Sequence, residues 1–98
     1  MQVTIQEQDG NMIATLEGRL DTAAAPETEK AMSPLLDCEG KDIILDCTKM
    51  EYISSSGLRI FLSIMKNTNG RHVYIRNITD DVRAVFVMTG FIHLFEFK

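Results

Sequence analysis

Between residues 42 and 65 the apolar pattern changes its period once, and the change falls on a run of hydroxyls. Asp42, Ile43, Ile44, Leu45 and Asp46 form a short apolar run between charged flanks, as a buried strand does. From Leu58 onward the apolar residues Leu58, Phe61, Leu62 and Met65 recur at i, i+3, i+4 and i+7, one stripe of a helix that Ile60 and Ile64 widen. Between the two lie Ser54, Ser55, Ser56 and Gly57. This is a strand-to-helix junction. One serine suffices for an N-cap, where its hydroxyl accepts a bond from an otherwise unpaired backbone N–H. A run of three leaves two further hydroxyls beside a locally positive helix end that accommodates phosphate.

The rest of the chain extends the same alternation. Val3 and Ile5 alternate with polar neighbours, Asp9-Gly10-Asn11 supplies turn chemistry, and residues 12–17 return as a second strand that Gly18 closes. Asp21 or Thr22 caps a helix over residues 23–37, with Met32, Leu35 and Leu36 on its apolar face and Pro34 shortening or kinking its last turn. Residues 42–46 are the third strand and 56–68 the second helix, stopped at Asn69-Gly70. Val73 and Ile75 mark a fourth strand. Thr79 caps a helix over 80–88 whose inner face is Val82, Val85 and Phe86, and which Gly90 ends; residues 94–97 make a last strand. The order ββαβαβαβ predicts an α/β fold: a sheet of about five strands, parallel apart from the first, with crossover helices. Alternation in the outer strands predicts that one sheet face is less covered than the other.

Ninety-eight residues make one domain, 1–98, large enough for a core without staples. No run approaches the roughly 18 apolar residues of a membrane span. The start of the chain has neither the basic nor the apolar segment of a signal peptide, so a cytoplasmic location is expected. Cys38 and Cys47 have no second ligand at metal spacing and read as reduced structural thiols. The net charge of −4 and the scattered basic residues argue against nucleic acid and for a protein partner. Serine hydrolysis is disfavoured, because the residue two before Ser56 is Ser54 rather than the glycine of a nucleophile elbow, and neither His72 nor His93 has an evident orienting acid. No phosphate-binding G-x-x-x-x-G-K-[ST] loop occurs, and no cofactor is implied. The six methionines with Phe91, Phe95 and Phe97 read as core or lid packing.

Asp46-x-Thr48 followed by Tyr52-Ile53-Ser54-Ser55-Ser56-Gly57-Leu58-Arg59 resembles the signature of the STAS domain, in particular the small bacterial anti-sigma factor antagonists. Gly18-Arg19-Leu20-Asp21 and Thr89-Gly90-Phe91 with Leu94-Phe95 fit the same family in order and spacing, so the resemblance spans nearly the whole chain. Many members have an acidic residue where this chain has Ser54. The resemblance implies a regulator rather than an enzyme. In its unphosphorylated form such a protein binds an anti-sigma factor that is also a serine kinase and so releases a sigma factor; phosphorylation breaks the complex and a serine phosphatase restores it. The matching phosphoacceptor is Ser56, with Ser55 and Ser54 as second choices.

In the family the aspartate matching Asp21 lies near the phosphorylation site and helps engage the kinase or a nucleotide, which implies weak nucleotide binding at that surface. Arg19 and Arg59 would flank it. Read from the residues alone, Asp21 is a helix cap and the two arginines are solvated charges. Gly57, lacking a Cβ, is expected to leave the approach to Ser56 open, and Thr48 to bond the strand-to-helix loop. The partner surface is expected to join the Gly18-to-Thr22 loop, with Arg19, Asp21 and Thr22, to Ser55, Gly57 and Arg59, and to the outer face of the second helix at Ser63, Lys66 and Asn67. An alternative implied by the family is an adaptor subunit of a lipid-transport or signalling complex that is not phosphoregulated.

Overall fold

The computed structural model describes residues 1–37, 40–68 and 70–98. Its elements follow the chain as β1 (Gln2–Gln8), β2 (Asn11–Leu20), α1 (Ala25–Met32), β3 (Asp42–Ile53), α2 (Ser55–Lys66), β4 (Val73–Arg76), α3 (Asp80–Thr89) and β5 (Glu96–Phe97). β1 and β2 are antiparallel and pair from Gln2↔Glu17 to Gln8↔Asn11, which leaves a two-residue turn. Asp9 and Gly10 occupy it at φ 53° and 80°, the left-handed pair that such a hairpin requires. Every later pairing is parallel.

The strands lie across the sheet in the order in which they occur in the chain. Each crossover therefore steps to the next neighbour in one direction, and right-handed connections then place all the helices on one face. The core confirms it. Ala14, Leu16, Ile43, Leu45, Cys47 and Ile75 on that face pack with Met32, Leu58, Phe61, Val82 and Phe86 from the helices in one cluster. The opposite face carries Thr4, Gln6, Thr15, Asp46, Tyr74 and Arg76 around Ile13 and Ile44, and among the described residues no helix covers it. The unequal coverage expected from the outer strands is thus realised.

Three boundaries differ from expectation for identifiable reasons. β3 runs to Ile53 instead of stopping at Asp46, because the ladder with β2 slips between Thr15/Glu17 and again between Gly18/Arg19. These bulges on β3 place its buried residues Cys47, Met50 and Ile53 at intervals of three, which hides the period of two. Gly18 does not close β2; it sits within the strand at φ 99°, where the second slip occurs, and pairing continues to Leu20↔Ile53. The helix expected over residues 23–37 is α1 followed by a 3-10 turn, Ser33–Asp37. Pro34 has no N–H for the Lys30 carbonyl; that oxygen instead accepts from the Ser33 backbone N–H and, at 2.8 Å, from the Ser33 hydroxyl.

Elsewhere boundaries hold to within a few residues. α3 starts on Thr79, whose hydroxyl accepts from Val82 N–H, and ends on Gly90 at φ 80°. Phe61, Phe86, Phe95 and Phe97 form an aromatic cluster with centroids 5.8 to 6.4 Å apart beneath α2 and α3. The methionines divide: Met12, Met32 and Met50 are core, but Met88 is 84% exposed and Met1 37% exposed, so packing does not account for all six. Cys47 is buried and free, and burial next to Asp46 pushes its thiol up to about 12, which keeps it protonated and inert. Cys38 and Asn69 lie outside the described residues.

Candidate functional site

β2 and β3 end side by side, and the Ser54 backbone N–H donates to the Leu20 carbonyl at 2.8 Å across the gap. The loops that follow therefore leave the same edge of the sheet together, one into α1 and one into α2. Asp21 holds the first loop: its carboxylate accepts the Ala24 N–H at 2.9 Å while its carbonyl accepts from Ala25. It caps the turn before α1, as the residue alone suggests, and Thr22 is exposed and does not cap.

The three serines do three different things. Ser54 is the N-cap of α2, only 8% exposed, with its hydroxyl accepting the Gly57 N–H at 3.2 Å. Serine and aspartate cap helices about equally well, so an acid at this position could serve the same cap. Ser55 opens the helix and is exposed. Ser56 is half-buried, and its hydroxyl makes no hydrogen bond within the described residues.

Gly57 is not the open approach expected of it. It is buried, and a Cβ there would lie 2.7 Å from Leu20 Cγ and 2.8 Å from Ile53 Cγ1. The glycine lets the first turn of α2 sit down on the ends of β2 and β3. Thr48 also departs from expectation, since it bonds the Asp46 carboxylate rather than the junction loop, through its hydroxyl at 2.6 Å and its N–H at 3.0 Å. Asp46 reaches Arg76 on β4 as well, at 2.8 Å. Burial pushes the Asp46 carboxyl up, but the Thr48 bonds and the Arg76 guanidinium outweigh it and hold it below its ordinary value. This brace stands on the helix-free face.

Between α1 and α2 runs an open groove of about 610 Å³, walled by Pro26, Glu29, Lys30 and Ser33 on one side and Ser56, Arg59 and Ile60 on the other. Ser56 and Arg59 thus share one wall. Arg19 does not join them; it stacks its guanidinium 4.5 Å from the Tyr52 ring centroid, and alternation from the inward Leu20 and Ile53 sends both to the other face. Ser55, Arg59, Ser63, Lys66 and Asn67 are all exposed along the outer side of α2, where the Asn67 amide donates to the Ser63 carbonyl at 2.7 Å. Glu29 and Lys30 were not legible as site residues, because only the lateral contact of α1 with α2 brings them to Ser56.

Among the described residues no serine is hydrogen-bonded to a histidine. His72 lies just before β4 and His93 precedes β5, both at the end of the sheet opposite the serines, and the His72 ring nitrogen faces Glu96 at 3.5 Å. Among the described residues no group of three acidic, histidine or cysteine side chains is placed to hold a metal ion. Among the described residues no helix is long and apolar enough to cross a membrane.

Comparison with known proteins agrees along the whole chain. The STAS domain model matches residues 2–98. The chain is 31% identical over 97 residues to BtrV of Bordetella bronchiseptica, provisionally an anti-sigma factor antagonist, covering 97% of this chain and 84% of that one. Its fold superposes with a TM-score of 0.80 on the unphosphorylated anti-sigma factor antagonist SpoIIAA, at 19% identity over 99% of this chain and 88% of the other. Against the phosphorylated form of SpoIIAA from Bacillus the TM-score is 0.71, at 18% identity over 99% and 91%. A sheet in sequential order, a serine-capped helix at its edge and these matches lead to one assignment: the chain is a STAS-domain protein of the anti-sigma factor antagonist family.

Proposed function

We propose that this protein is the antagonist of a phosphorylation-gated partner switch. Unphosphorylated, it binds an anti-sigma factor that is also a serine kinase and thereby frees a sigma factor. Phosphorylation of Ser56 abolishes the complex, and a serine phosphatase regenerates it. The protein is substrate and regulator, not enzyme, and acts in the cytoplasm. The observation that carries this reading is the division among the serines: Ser54 is consumed by the cap, whereas Ser56 keeps an unengaged hydroxyl on the wall of a groove. The family's members include SpoIIAA, known in an unphosphorylated and a phosphorylated form.

The mechanism follows from where the charge arrives. A phosphate adds about −1.5 to −2 charges, and at a helix N-terminus the fold tolerates it. A partner that buries this surface must instead strip water from a dianion, so binding fails while the domain stays intact. The docking surface comprises Asp21, Thr22, Ser55, Ser56, Gly57 and Arg59 with the outer side of α2 at Ser63, Lys66 and Asn67; Gly57 contributes through its backbone alone. Arg19, held against Tyr52, bounds it from the other face. Asp21 would help engage the kinase or a weakly bound nucleotide. Incubation with candidate anti-sigma kinases and ATP, followed by mass mapping, tests the reading. Phosphate on Ser56 and none on a Ser56→Ala variant is expected; modification chiefly of Ser54, Ser55 or a threonine would reject it.

A further inference from the structure

The groove beside Ser56 has a charge pattern that the family assignment does not address. Its charged walls are Glu29 and Lys30 from α1 and Arg59 from α2. Neither Lys30 nor Arg59 makes an ion pair within the described residues, although Lys41, Lys49 and Arg76 each have an acidic partner. Two cations without an ion-pair partner among the described residues thus line one groove with the Ser56 hydroxyl, from two different helices. Arg59 is three residues beyond Ser56, and side chains at that spacing on a helix lie about 5 to 6 Å apart at Cβ. Lys30 approaches from the opposite wall. The groove holds one more cation than anion, so a phosphate on Ser56 would reverse its sign.

We propose that Lys30 and Arg59 form a clamp across the groove for the phosphate on Ser56, so that modification occupies two cations as well as adding an anion. In the unphosphorylated protein these cations are free to meet an acidic partner surface; in the phosphorylated protein they are turned onto the chain's own phosphate. The partner then loses two attractive charges and gains a repulsive one in a single step. Charge-assisted bonds from arginine and lysine to phosphate are the strong ones among surface contacts. Glu29 opposes the clamp and keeps it reversible.

The inference rests on the reading that Ser56 is phosphorylated, so its test installs phosphoserine at position 56 during translation and does not depend on any kinase. Phosphorus NMR then follows the second ionisation of the phosphate, ordinarily near pH 6. The α2 terminus lowers that ionisation in every variant alike, so differences between variants carry the result. Arg59→Gln and Lys30→Gln should each raise it by about 0.3 to 0.5 units, and Glu29→Gln should lower it by about as much, values scaled down from a close buried pair for an open groove. No change in either cation variant would overturn the proposal. An effect of Arg59→Gln with none of Lys30→Gln would overturn the clamp across the groove and leave only a pair along α2. A kinase that never modifies Ser56 would instead reject the partner-switch reading, which this measurement leaves untouched.

Discussion

The two halves of the signature in this chain, Asp46 with Thr48 and Ser54 through Gly57, stand on opposite sides of the sheet and hold it in different ways. Asp46 and Thr48 brace a bulged strand on the helix-free face, tied by Arg76 to β4. Ser54 and Gly57 seat a helix on the covered face, one by a hydrogen bond and one by having no side chain. Most of a stretch that reads as a functional motif is therefore scaffolding. What is left over chemically is the pair of hydroxyls at Ser55 and Ser56, one exposed and one half-buried at the start of α2.

The covered side should be the less forgiving. Gly57→Ala is expected to cost about 2 kcal/mol, since the added methyl meets Leu20 and Ile53 well inside contact distance, and overpacking of that kind costs about 1 to 3 kcal/mol, offset in part by the helix preference for alanine. Urea denaturation measures it. A neutral or stabilising result would mean that α2 lifts from the sheet at little cost, and the contrast between the two halves would lose its basis.

On the bare face the expected loss is smaller and depends on pH. Asp46→Ala removes charge-assisted bonds to Thr48 and Arg76 and leaves the buried Arg76 Nε with less company, at a cost of about 1.5 kcal/mol at neutral pH. The Asp46 carboxyl is depressed in the fold relative to about 3.9 in the unfolded chain. Its contribution is accordingly complete above about pH 4 and lost as the pH falls through the lower folded value. The gap in urea midpoint between wild type and Asp46→Ala should hold above about pH 4 and narrow as the pH is lowered below it. A gap that stayed constant would show that the bonds, rather than the charge, do the bracing.

This division also explains what the sequence could and could not disclose. β4, α3 and its cap Thr79 follow from local rules, alternation in one case and a hydroxyl before an amphipathic run in the other; a serine cap was legible at the start of α2, but which of the three serines serves was not. The far half of β3 was hidden because bulges turn its buried period from two to three, so Cys47, Met50 and Ile53 look like loop. The role of Gly57 was hidden because its neighbours, Leu20 and Ile53, become neighbours only through the parallel pairing of β2 with β3. The groove was hidden for the same reason one level up: Lys30 and Arg59 are far apart in the chain, and only the shared direction of the crossovers lays α1 beside α2.

A cap loss should rank next. Ser54→Ala strands the Gly57 N–H in a buried place and is expected to cost about 1 kcal/mol, while Ser54→Asp should be close to neutral. Thermal unfolding of the two variants side by side separates capping from bulk. If the aspartate variant were as unstable as the alanine one, the hydroxyl would be serving something other than the helix start.

Ser56 is expected to show the smallest effect on stability and the largest on binding. Its hydroxyl bonds nothing among the described residues, so Ser56→Ala should change the unfolding free energy by no more than about 0.5 kcal/mol, the range of surface substitutions away from structural features. Ser56→Asp adds a negative charge in the first turn of α2, which is favourable by about 0.3 to 1 kcal/mol when exposed. It supplies less charge than phosphate, so it should weaken binding to the anti-sigma partner by at least tenfold without matching the phosphoprotein. Titration calorimetry with the purified partner measures this. Equal binding by wild type and Ser56→Asp, both fully folded, would place the junction outside the interface; the reading would then pass to an adaptor that no phosphate controls, for which Ser54, Ser56 and Gly57 are alike parts of a helix start.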